Sequence, residues 1–103
     1  MAAVAKARRE GMRWRVIQTL NKMRPHTTSE QFVLDIMRGT YPDLTQIELR
    51  RELDYLESRD LVEIVRQPLG LWFVDLTRYG VDIVEYTIDC EPGVARPALD
   101  WSE

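Results

Sequence analysis

The sequence predicts an α+β domain: a three-helix bundle carrying a C-terminal two-stranded β-hairpin, then a short helix and an extended tail. Three observations predict it. Residues 44–60 carry a helical apolar period, residues 61–76 switch to strand-like runs around a proline–glycine turn, and two further helical patterns come before them. With 103 residues, 45% of them hydrophobic and 30% charged, the chain has room for one core and the composition of a folded domain.

The third helix and the hairpin carry the clearest signal. Thr45 is an N-cap, because its hydroxyl can accept from the free N–H groups of a first helical turn. Leu49, Leu53 and Leu56 then share one face, and Gln46, Arg50, Arg51, Asp54 and Glu57 take the opposite one. After Arg59-Asp60 come the strand-like runs Leu61–Arg66 and Leu71–Leu76, joined by Gln67-Pro68-Leu69-Gly70. Pro68 presets a turn φ, and Gly70 can take positive φ without a Cβ clash. A helix feeding a hairpin after two other helices is the layout of a winged helix.

The first helix is expected over about Ala5 to Met23, with Met12, Val16, Ile17, Leu20 and Met23 on its packed side. Gly11 is a weak point near its start, worth about 1 kcal/mol against alanine. Arg24-Pro25 ends this helix. Thr28 or Ser29 caps the second, whose buried side is expected to be Phe32, Val33, Ile36 and Met37, with Gly39 as its stop. Thr77 caps a fourth helix from Arg78 to about Tyr86, with Val81 and Val84 or Ile83 facing inward. Residues 1–90 thus form the domain and residues 91–103, with two prolines and a glycine, an extended tail.

Charge is divided unevenly. Residues 1–24 hold seven basic residues against Glu10, a net of +6, and the remainder holds seven arginines against sixteen acids, a net of −9. Any contact with a polyanion is therefore local. Arg8, Arg15 and Lys22, seven apart, form a basic line along the first helix, either a solvated face or a phosphate-contacting one. Residues 45–60 hold three arginines and five acids, so the third helix is itself net acidic.

Several chemistries find no support. One histidine and one cysteine supply no recognisable metal-ligand spacing, and no glycine-rich phosphate loop or nucleophile elbow is present. His26 follows Pro25 in a turn and reads as a surface residue. The carboxylates of the third helix sit among opposite charges, as in Arg50–Asp54 and Glu48–Arg51, which read as ordinary helix-surface pairs. The expectation is a protein without catalytic residues, metal or cofactor. A single cysteine, Cys90, and the absence of an apolar run of about 20 residues point to a cytoplasmic protein that does not span a membrane.

The remaining candidates are binding residues. Gln46 can pair with adenine, and Arg50 or Arg51 with guanine, if the third helix enters a major groove of double-stranded DNA. Arg66 and Gln67 would contact the backbone or minor groove from the wing, and Arg8, Arg15 and Lys22 would hold phosphates. A homodimer would supply two half-sites, with Trp14, off the core stripe of its helix, and Trp101, on the tail, as interface anchors. The acidic third helix equally suits a winged-helix adaptor that binds protein.

Glu52-Leu53-Asp54-Tyr55-Leu56-Glu57-Ser58-Arg59-Asp60-Leu61-Val62 resembles the end of a winged-helix recognition helix and its entry into the wing. Leu76-Thr77-Arg78-Tyr79-Gly80 resembles the start of the helix after the wing in ArsR-like and MarR-like bacterial regulators. Nearly the whole chain, including Glu91-Pro92-Gly93-Val94-Ala95-Arg96-Pro97, is similar to small winged-helix proteins of Mu-like phages and prophages. The resemblance implies a phage transcriptional regulator or accessory DNA-binding factor, or an adaptor with a phage protein as partner. The paired cysteine ligands of metal-sensing ArsR-like proteins are absent.

Overall fold

A computed structural model of the chain describes residues 2–99. Among them the elements run α1 (Ala2–Met23), β1 (Thr28–Ser29), α2 (Glu30–Met37), α3 (Gln46–Ser58), β2 (Val62–Arg66), β3 (Trp72–Leu76) and α4 (Arg78–Val84). The architecture is α+β, with helices packed on one antiparallel sheet, and it is compatible with a winged-helix-like layout.

The sheet has three strands rather than the two expected, in the order β1-β3-β2. The extra strand is two residues long, with Thr28 opposite Val74 and Ser29 opposite Phe73. It gives the free edge of β3 partners for its backbone groups, a tertiary event that no two-residue sequence pattern announces. Thr28 is therefore a buried strand residue, and Ser29 alone caps α2, accepting from the Phe32 N–H at 3.2 Å. In the hairpin, Val62, Ile64 and Arg66 oppose Leu76, Val74 and Trp72, so the pleat turns Val62, Ile64, Val74 and Leu76 toward the helices.

The helices obey their expected periods with three corrections. First, α1 begins at Ala2, not Ala5; Gly11 does not interrupt it, because Met12, Trp14, Val16, Ile17 and Leu20 are buried on either side of the next turns. Second, α2 buries Glu30, Val33, Leu34 and Met37, while Phe32 and Ile36 face outward. Val33 and Met37 are buried as expected, whereas Leu34 and Glu30, which has a partner inside, take the inward positions expected of Phe32 and Ile36. Third, α2 ends at Met37 with Arg38 as C-cap and without positive φ at Gly39. Its last carbonyl instead accepts from Thr40 at 3.0 Å and Tyr41 at 2.8 Å.

Leu49, Leu53 and Leu56 of α3 are fully buried against α1 and the sheet, joined by Leu44 from the preceding turn. The helix stops in a Schellman motif: the Leu61 N–H reaches the Leu56 carbonyl at 2.9 Å and the Asp60 N–H the Glu57 carbonyl at 3.0 Å. Asp60 sits at φ +63° to make that turn. Thr77 caps α4, accepting from the Gly80 N–H at 3.0 Å and donating to the Asp60 carbonyl at 2.7 Å. Gly80 has no room for a side chain, since a Cβ there would collide with the Leu61 carbonyl and the Leu76 side chain. The Leu-Thr-x-x-Gly pattern thus joins α4 to the corner between α3 and β2.

Helix α4 closes at Val84, two residues earlier than expected, and Tyr86 turns the chain at φ +63°. Val81 and Ile83 are its buried residues. The segment after it is docked on the domain rather than free. Arg13 donates to the Gly93 carbonyl at 2.9 Å, Arg59 to the Pro92 carbonyl at 3.2 Å, and Arg96 to the Ile83 and Ile88 carbonyls at 3.0 and 2.9 Å. The Ala95 N–H also reaches the Glu10 carbonyl at 3.1 Å. The Pro92 and Gly93 carbonyls lie in a loop without a ladder to join, and Arg59 and Arg13 give them donors.

Candidate nucleic-acid interface

The seam between α3 and the hairpin is built around Glu30, the first residue of α2, which is 1% exposed. Its carboxylate accepts from Arg50 Nε at 2.7 Å, from Arg50 Nη2 at 2.5 Å and from the Trp72 N–H at 2.7 Å. Arg50 Nη2 also donates to the Gly70 carbonyl at the wing tip, whose φ of +99° places Gly70 in the conformation expected of it. Three elements are pinned at one carboxylate. Burial pushes the Glu30 carboxyl up, but the hydrogen bonds from Arg50 and Trp72 outweigh it and hold the group below the usual carboxylate range. The Arg50 guanidinium is correspondingly raised, chiefly by the Glu30 bond.

Arg66, at the far end of β2, turns back onto α3. Its Nη2 lies 2.6 Å from Asp54 and 2.9 Å from Glu57. Both guanidinium groups rest on one ring: Arg50 Cζ is 4.4 Å and Arg66 Cζ 4.5 Å from the Trp72 centroid. The bond to Arg66 holds the Glu57 carboxyl below its ordinary value. The expected pairs along α3, Arg50–Asp54 and Glu48–Arg51, give way to pairs between elements. Asp54 takes Arg66, Arg50 takes Glu30, and Glu48 takes Arg8.

On α1, Arg8 meets Glu48 in bidentate fashion at 2.8 and 3.1 Å and Asp43 at 3.0 Å, beneath the Tyr41 ring at 5.1 Å. Arg15 and Lys22 are exposed and, among the described residues, have no carboxylate partner. The basic line is thus split, with its first member turned onto α3. Gln46, Arg51 and Gln67 are exposed. Arg51 lines a cleft of about 320 Å³ with Ala5, Arg8, Arg9, Glu48 and Glu52.

Of the two expected interface anchors, Trp14 is 8% exposed and packs edge-on against Tyr86 at 6.1 Å, so its own chain covers it. It looked free because α1 buries a wider stripe once the chain after α4 folds across it. Trp101 lies outside the described residues. His26 is exposed, and Cys90 is half-buried with its thiol pushed up by burial. Among the described residues no group of three or more His, Cys, Asp or Glu side chains could hold a metal, and no helix is long and apolar enough to cross a membrane.

Residues outside the sequence-based candidates do much of the positioning. Glu30 and Trp72 fix the seam. Arg13 pairs with buried Glu52 at 2.6 Å and lies 3.5 Å from the Tyr55 ring centroid, joining α1 to α3. A signal for Glu30 existed, since its spacing to Val33, Leu34 and Met37 puts it on their face. Comparison with known proteins adds no constraint: no family model, curated protein or solved structure matches the chain.

Proposed function

We propose that the chain is a winged-helix domain that binds double-stranded DNA through α3 and the hairpin wing, as a phage regulator or accessory factor. The observation that carries this reading is the seam: Arg50 bonded to the Gly70 carbonyl, and Arg66 bonded to Asp54 and Glu57, hold the wing beside α3. Gln46 and Arg51 on α3 and Gln67 at the wing tip are exposed. Gln46 and Arg51 have the donors and acceptors to read adenine and guanine edges, and Arg15 and Lys22 the charge for flanking phosphates. Selection from a random duplex pool tests it. The expected result is an enriched motif that Arg51→Ala relaxes; a pool returned without enrichment refutes sequence-selective binding.

A second reading is favoured by apolar exposure. Leu69 at the wing tip is 100% exposed, and Phe32, Ile36, Ile47 and Val65 are also open. With a net charge of −3, that surface suits an adaptor docking on a protein partner. Retention on DNA resin separates the two: binding that falls steeply with salt supports the first, and no retention with a partner captured by nuclease-resistant pull-down supports the second.

A further inference from the structure

Three of the arginines expected to touch DNA are each engaged by oxygens of two residues of their own chain. Arg8 is held by Glu48 and Asp43, Arg50 by Glu30 and the Gly70 carbonyl, and Arg66 by Asp54 and Glu57. A guanidinium meets a phosphate with the same paired N–H groups it offers these carboxylates. The three cases are not equivalent. Glu30 is closed inside the fold, so Arg50 is a structural member of the seam. Around Arg66 the side chains are open, at 40% for Arg66, 54% for Asp54 and 37% for Glu57, and exposed ion pairs are weak enough to exchange.

The geometry points to an autoinhibitory contact: Asp54 and Glu57 occupy Arg66 in place of nucleic-acid phosphate, and a duplex must displace them before the wing can engage. This rests on the DNA-binding reading above and accounts for an acidic third helix on such a protein. The Arg66 guanidinium itself lies over the Trp72 ring, Cζ 4.5 Å from the centroid, so the exchange between α3 carboxylates and a phosphate is a turn of that head group away from α3. In the resting protein the wing presents little net charge, and Arg66 adds little to binding until the carboxylates let go.

The test is a double-mutant cycle on the full chain, read by anisotropy of a labelled random-sequence duplex over a salt series. Asp54→Asn with Glu57→Gln should bind about tenfold tighter than the unaltered protein, and its log–log salt slope should steepen by about 0.9, one further phosphate contact. Arg66→Gln should weaken binding, since it removes the phosphate contact and leaves Asp54 and Glu57 unpaired, and in its background the two carboxylate replacements should give a smaller gain with no steeper salt slope. Glu57→Gln alone, which removes one acceptor, should show part of the gain and guards against a folding defect in the double variant. An equal gain with and without Arg66 would mean that only general repulsion was relieved, and no gain would mean that the carboxylates do not compete; either overturns the contact. If no variant, and not the unaltered protein, binds any duplex, the DNA-binding reading itself falls and this inference with it.

Discussion

Replacing Glu30 by Gln should cost about 2 kcal/mol of folding stability and lower Tm by about 10 °C. The carboxylate accepts three hydrogen bonds, at 2.7, 2.5 and 2.7 Å, two of them from one guanidinium. Glutamine keeps an oxygen for the Trp72 N–H but turns an amide donor toward Arg50 and leaves its charge unanswered. Breaking a fully buried pair from one side costs about 3–5 kcal/mol. Arg50, however, is 26% exposed and keeps the Gly70 carbonyl, so roughly half of that figure applies. Urea unfolding followed by tryptophan fluorescence measures it, with Trp72 in the perturbed seam, and the slope m should not change. A carboxyl held below its ordinary value of 4.5 stabilises the fold above that value and loses its contribution as pH falls through the folded value. The variant should therefore lose less stability than the unaltered protein on acidification below about pH 4.5. A loss under about 0.5 kcal/mol at neutral pH would refute the claim that Glu30 pins the seam.

Gly80→Ala should destabilise by several kcal/mol or prevent folding, because the new methyl meets the Leu61 carbonyl; a circular dichroism melt within a degree or two of the parent would contradict the packing described. Asp60→Gly should raise stability by up to about 1 kcal/mol, since φ +63° favours glycine there, and an unchanged or lower urea midpoint would count against it. Cys90 should be alkylated slowly at neutral pH and at the rate of a model thiol once the chain is unfolded, because burial disfavours its thiolate; equal rates in both states would contradict that.

Local rules in the sequence were enough for the helices around Leu20 and Leu53, the caps at Thr45 and Thr77, and the Gln67–Gly70 turn between two strands, and they narrowed the α2 cap to Thr28 or Ser29. Each of these depends on neighbours within a few residues: a helical period, a hydroxyl three positions before an N–H, a glycine at positive φ. Tertiary structure decided the rest. Val33 and Met37 face the core as their spacing predicts, but whether Phe32 and Ile36 or Leu34 join them is ambiguous at helical spacing, and the observed face is the one that also carries Glu30, bonded to Arg50 20 positions away. The third strand exists because β3 has an open edge beside Thr28 and Ser29. The tail is docked because Arg13 and Arg59 reach the Gly93 and Pro92 carbonyls and Arg96 reaches back to the end of α4 at Ile83. Among the candidate binding residues, composition identified the arginines but not their state. A guanidinium reaches several ångströms from its own backbone, so which carboxylate holds Arg8, Arg50 or Arg66, and whether Arg51 stays open, depends on what the fold brings within that reach.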